Sequence, residues 1–239
     1  MLKLLLKCTF GLVLFTLLSV FTPAILAQDD VKRIDESAVP DTGSKAEDFV
    51  PQGWKIENKV TGDLNDDGTA DHAITMIEDK PEVDSEGISV DRSRGLVIVF
   101  GQTDGKLSKA AVADRLLQCP NCGGAFYGAG NAPAEVSIVK GVLIVQQDRG
   151  SRWITDTTYR FRYDEQPSMF ILIGFDYSSR DRGTGESVSE STNYLTGKRI
   201  TTPVKGPAKT TTVEKKRYSI GEVDYEQFDS EATSRLGLD

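Results

Sequence analysis

The stretch W-I-T-D-T-T-Y-R-F-R-Y, Trp153 to Tyr163, decides the fold class. Trp153, Thr155, Thr157, Tyr159, Phe161 and Tyr163 fall at every second position, while Asp156, Thr158, Arg160 and Arg162 lie between them. Successive side chains of an extended chain point to opposite faces, so this is a strand with one apolar and one polar face. Such a strand belongs in an antiparallel sheet that covers a core on one side. Asp164 to Ser168 then leads to M-F-I-L-I-G-F, Met169 to Phe175, which is apolar at both parities and is expected beside it as a central strand.

The same reading extends in both directions. Glu135 to Val139 and Val142 to Gln146 flank Lys140-Gly141, a short hairpin turn. Leu96 to Phe100, L-V-I-V-F, reads as a strand buried on both faces, and Trp54 to Val60 and His72 to Glu78 as two strands before it. Lys80 to Arg94 is a polar surface excursion, and Lys106 to Ala113 fits either a strand or one or two helical turns. Tyr194 to Thr201 and Thr210 to Ile220 read as late strands separated by turns at Pro203 and Pro207. No long amphipathic helical period stands out. The expected class is mainly β, with antiparallel sheets arranged as a sandwich or as partial propeller blades.

The chain has 239 residues. Lys3 and Lys7, the apolar run Cys8 to Phe21, and Pro23 to Ala27 before Gln28-Asp29-Asp30 have the order of a secretory signal, residues 1–27, with cleavage after Ala27. The rival reading is an uncleaved anchor, since about 20 weakly polar residues can just span a bilayer, but Gly11, Thr16, Ser19 and Pro23 dilute the segment. The expected location is therefore periplasmic or secreted, with no stable membrane insertion after cleavage. Residues 28–48 are charged and Ser-rich and read as a disordered leader. The β-rich domain is expected over 49–228, with Tyr225 to Phe228 docking on it and 229–239 as a flexible tail. The formal charge of −8 gives no electrostatic footprint for nucleic acid. A protein or a glycan is the expected partner.

Between the first two strands lies D-L-N-D-D-G-T-A-D, Asp63 to Asp71. Asp63, Asn65 and Asp67 place oxygens at alternate positions, the Thr69 carbonyl and Asp71 can add two more, and Gly68 permits the turn. An all-oxygen set suits calcium over zinc or copper. The competing reading is a metal-free Asp/Asn/Gly turn. The spacing departs from the EF-hand, whose glutamate at loop position 12 would fall at Ile74. The run G-D-L-N-D-D-G-T-A-D-H-A-I instead resembles the calcium loops of FG-GAP, integrin-like (VCBS-type) β-propeller repeats over Trp54 to Phe100. That resemblance implies a structural calcium held by Asp63, Asn65, Asp67, Thr69 and Asp71.

Signal removal leaves two cysteines, in C-P-N-C, Cys119 to Cys122. In an oxidising compartment such a pair is expected as a disulfide. By the chain-entropy model so short a loop contributes about 2 kcal/mol at most. The spacing also occurs in thiol-disulfide oxidoreductases, with Cys119 as nucleophile, but Gly123-Gly124 oppose a following helix and no βαβ pattern surrounds the motif. A zinc half-site lacks further ligands beyond His72, the one histidine. C-P-N-C-G-G-A-F, the Gly150 to Tyr163 strand, M-F-I-L-I-G-F-D-Y and S-T-N-Y-L-T-G-K together resemble a family of small exported bacterial proteins that combine one FG-GAP-type loop with a C-x-x-C-G-G motif. This resemblance bears on architecture and says little of function.

Triad chemistry would have to use His72, which reads more simply as a strand residue, and the glycines of 123–130 lack the Lys-Ser/Thr of a phosphate loop. Arg160 and Arg162 with Tyr177 suggest either a ligand surface or a solvated strand face. No catalytic constellation emerges, and the expected role is binding or envelope-associated structure.

Overall fold

The computed structural model describes Val31 to Leu238; the expected signal segment 1–27, with its expected cleavage after Ala27, and residues 28–30 lie outside the described residues, as does Asp239. Among the described residues twelve strands form two antiparallel sheets, neither closed into a barrel. The five-stranded sheet contains β1 (Thr42–Gly43), β2 (Trp54–Gly62), β3 (Asp71–Glu78), β4 (Arg94–Gly101) and β5 (Leu107–Ala113), in the order β1-β5-β4-β3-β2. The seven-stranded sheet runs in chain order through β6 (Ala134–Val139), β7 (Val142–Gly150), β8 (Trp153–Asp164), β9 (Met169–Asp181), β10 (Ser187–Asn193), β11 (Lys198–Thr202) and β12 (Lys209–Thr212). The segment left open at Lys106 to Ala113 is a strand.

The alternation at Trp153 to Tyr163 does what the period of two requires. Tyr159 and Phe161 are fully buried, and their face joins Leu143, Val145, Phe170 and Leu172 in the core between the sheets. β9 is the central strand of its sheet. From the other sheet, Leu96 and Ile98 enter the same core, and Phe100 meets Tyr163 edge to face with centroids 4.8 Å apart.

Val97 and Val99 point the opposite way. With Ile74, Met76 and Leu107 they form a second apolar surface on the outer side of the five-stranded sheet. This surface explains the first correction. The segment 28–48, expected as a disordered leader, is from Val31 onward a folded strap: Ile34, Val39 and Ala46 are buried there together with Phe49. Two 3-10 turns, Glu36–Ala38 and Ala46–Phe49, shape it, and the Lys109 ammonium ties it down by donating to the carbonyls of Glu36 (3.2 Å) and Val39 (3.0 Å). A sheet apolar on both faces needs a cover on both, and a few well-spaced apolar residues supply one.

The second correction is at the other end. Residues 229–239, expected as a flexible tail, belong largely to a helix, α2 (Tyr225–Leu236), that closes the inter-sheet core with Phe228 and Ala232. Asp224 caps it by accepting from the N–H groups of Glu226 and Gln227, and Gly237 ends it in a left-handed conformation. Arg235 grips the buried Glu190 of β10 with two 2.8 Å bonds, from Nε and Nη2. The late strands are also shorter than expected, because Tyr194 to Gly197 forms the β10–β11 turn and β12 ends at Thr212.

Candidate metal centre and cysteine loop

The β2–β3 connection is built from side chains that accept hydrogen bonds from nearby backbone. Asp63 takes the N–H of Asp66 on Oδ1 (2.7 Å) and that of Gly68 on Oδ2 (2.9 Å). Asn65 accepts from the Asp67 N–H and donates to Asp67 Oδ2, while Asp67 Oδ1 accepts from Thr69 N at 2.7 Å. Those bonds hold the Asp67 carboxyl below its ordinary value, the Thr69 N–H contributing most and the Asn65 amide next. Asp66 (φ 64°) and Gly68 (φ 79°) both take the left-handed conformation that the tight path demands. Asp63, Asn65, Asp67 and Thr69 are thus brought into one small hydrogen-bonded unit.

Asp71 occupies a different place. It is fully buried, and its two oxygens accept from Leu64 N (2.7 Å) and from Gly101 N at the end of β4 (2.9 Å). Burial raises its pKa, and the two backbone donors oppose that rise. Asp71 therefore latches the start of the loop to the neighbouring strand. Among the described residues no group of three or more His, Cys, Asp or Glu side chains has the arrangement of a metal cage. The donors in the loop are all oxygen, which fits a hard cation in kind, with Asp63, Asn65, Asp67 and Thr69 on the open side of the loop and Asp71 beneath it. His72 stands apart on β3, its Nδ1 2.9 Å from the Thr61 hydroxyl.

Cys119 and Cys122 form a disulfide, with Cα atoms 5.1 Å apart. The residues between and after them are committed to packing. Asn121 accepts from the Ser89 hydroxyl at 2.8 Å and donates to Asp91, tying in the polar excursion that precedes β4. A single helical turn, α1 (Gly124–Tyr127), follows directly. Gly124 has φ +71°, and a Cβ there would lie 2.6 Å from the Gly150 carbonyl oxygen; Gly150 in turn donates its N–H to the Gly123 carbonyl. The two glycines thus let the loop lie flush on the end of β7. The Tyr225 hydroxyl of α2 reaches Cys122 Sγ at 3.5 Å.

The other pairing considered from sequence does not assemble. Arg160 pairs with Asp176 on the outer face of the seven-stranded sheet, whereas Tyr177 points inward to the Thr233 hydroxyl, 3.0 Å away. What the sequence reading missed is a carboxylate pair. The β7–β8 register sets Asp148 directly opposite Asp156, and Asp148 is pushed up to about 6, by burial first and then by the Asp156 carboxyl. The signal was present, since a hairpin centred on Arg152 sets these two aspartates, four residues to either side of it, opposite each other. Comparison with family models, with curated proteins and with solved structures gives no match to this chain.

Proposed function

We propose that this chain is an exported, calcium-stabilised β-rich domain that acts by binding, or as a structural element of the bacterial envelope, without chemistry of its own. The observation that carries the reading is the β2–β3 loop. Four aspartates, Asp63, Asp66, Asp67 and Asp71, are crowded into nine residues, and backbone hydrogen bonds preset the oxygens of Asp63 and Asp67. A divalent ion on those oxygens relieves their mutual repulsion and fastens the connection between two strands that both contribute to the cores. The likeness of the loop to FG-GAP calcium loops supports the same role. Export rests on the order of charges and apolar residues in 1–27. No helix among the described residues is long and apolar enough to cross a membrane.

Thermal melts in calcium, in magnesium and in excess chelator test the metal. At ten times its dissociation constant calcium adds about 1.4 kcal/mol, a rise in melting temperature of about 3–6 °C for a domain of this size. Magnesium, which demands tighter octahedral geometry, restores little of it. Identical melts in calcium and in chelator would remove calcium from the account.

A further inference from the structure

At the end of the seven-stranded sheet where β7, β8 and β9 run out, α2 forms a roof. Beneath it is a cavity of about 350 Å³, lined among others by Arg149, Trp153, Thr155, Ser179, Asp229 and Ser230. We infer that this cavity is a saccharide-binding site for a sugar unit of one or two rings, with Trp153 as its platform. The inference rests on the binding half of the function proposed above and is independent of calcium.

The chemistry of the walls selects the ligand. Arg149 is ion-paired with Asp229, so the lining carries both charges side by side and favours neither an anion nor a cation. Asp229 is only 9 % exposed, and its Oδ1 has no hydrogen-bond partner. Oδ1 has almost no accessible surface as it stands, so the acceptor, which costs about 1–3 kcal/mol while unpaired, meets a ligand hydroxyl only when the carboxyl turns toward the cavity. Thr155 and Ser179 add two hydroxyls 3.3 Å apart, each able to donate or accept, and Ser230 adds another from the exposed side of α2. Thr155 and Ser179 already bond to each other, so an apolar ligand would leave Asp229 Oδ1 unpaired and cover the Ser230 hydroxyl without a partner. The half-buried indole of Trp153 supplies the remaining requirement, a flat apolar surface beside the polar groups.

A pyranose matches this set, because it carries hydroxyls around its rim and a patch of C–H bonds on its face. The volume lies at the small end of ligand sites, about 300–1,000 Å³, which limits the occupant to one or two rings. A free sugar and the terminal unit of a longer glycan present the same chemistry.

Tryptophan fluorescence provides a direct test. The chain contains two tryptophans, and Trp54 is buried in the outer core, 6 % exposed, so a ligand-dependent change reports Trp153. The protein is titrated with free hexoses, N-acetylhexosamines and their disaccharides, and in parallel applied to immobilised glycans ending in the same units. The expected result is a saturable change with at least one sugar. Binding of the immobilised form alone identifies a glycan terminus, and binding of both a free-sugar site. Trp153→Ala weakens the affinity about 3- to 10-fold. Asp229→Asn also weakens it, and Ser230→Tyr, at an exposed position where folding is unaffected, blocks the cavity and abolishes binding.

Three results overturn the inference: no sugar binds the wild-type protein in either form; zwitterionic amino acids bind in place of sugars; or Ser230→Tyr binds as the wild type does. Each titration is run with and without chelator. A melt that responds to calcium in a protein that binds no sugar refutes the saccharide site alone. A melt indifferent to calcium in a protein that binds sugar refutes only the metal.

Discussion

Replacing Arg235 with methionine tests how α2 is held. The arginine makes two 2.8 Å bonds to Glu190, a carboxylate whose side chain has no exposed surface. After the change Glu190 keeps one cation, Arg199, with Nε at 3.3 Å, and loses the planar fork that matched both of its oxygens. Removing one partner of a buried pair costs about 3–5 kcal/mol, and the retained Arg199 lowers this to about 2–3 kcal/mol. For a domain of this size the melting temperature then falls by about 5–10 °C. Arg235→Lys, which offers a point charge in place of the fork, falls between the two. Scanning calorimetry reads the shift, and amide hydrogen exchange shows whether the loss is concentrated in Tyr225 to Leu236. A variant that melts with the wild type and keeps full protection in α2 would refute the reasoning.

The Asp148–Asp156 pair predicts a pH dependence. The folded chain holds a proton at Asp148 up to about pH 6, whereas the ordinary value is 3.8, so this stabilisation is complete at low pH and is lost as pH rises between those values. Because the group is partly exposed, solvent screening limits the effect to about 1 kcal/mol; in urea melts from acid to neutral pH, Asp148→Asn removes that slope and raises stability at pH 7. At Gly124 an added Cβ meets the Gly150 carbonyl at 2.6 Å on a backbone with φ +71°. Gly124→Ala therefore costs about 2–4 kcal/mol. Gly68→Ala, with φ +79° and open space around it, costs about 1–2 kcal/mol. Equal denaturant midpoints for the two would contradict the close packing assigned to the cysteine loop.

The strands were legible because their side chains repeat in step with the geometry. Leu96 to Phe100 alternates between two apolar environments, and both proved to be cores. The α2 helix also left a trace, since Tyr225, Phe228, Ala232 and Leu236 are spaced three or four apart between a capping Asp224 and a terminating Gly237. That stripe is thin, because alanine and a buried aspartate stand where large apolar residues would announce it. The strap was illegible for another reason. Ile34, Val39, Ala46 and Phe49 follow no period, because the segment is irregular and its shape is dictated by the sheet beneath it. In the β2–β3 loop the local side-chain turns follow from spacing. The latch role of Asp71 does not, since it depends on Gly101, a residue that only folding brings near.

The order of strands in the larger sheet has a kinetic consequence. From β6 to β12 every strand pairs with the next in the chain, and β2 to β5 do the same in the smaller sheet. Nearly all ladder contacts are therefore between neighbours along the sequence, and such pairings close short loops at little entropic cost. Two closures are of a different kind. β1 pairs with β5 across the smaller sheet, and α2 reaches back to β10 and to Cys122. A chain emerging amino end first makes its strap before the surface that receives it and its roof after everything else. The inter-sheet core stays open until α2 arrives, so completion of the fold waits on the carboxyl end of the domain.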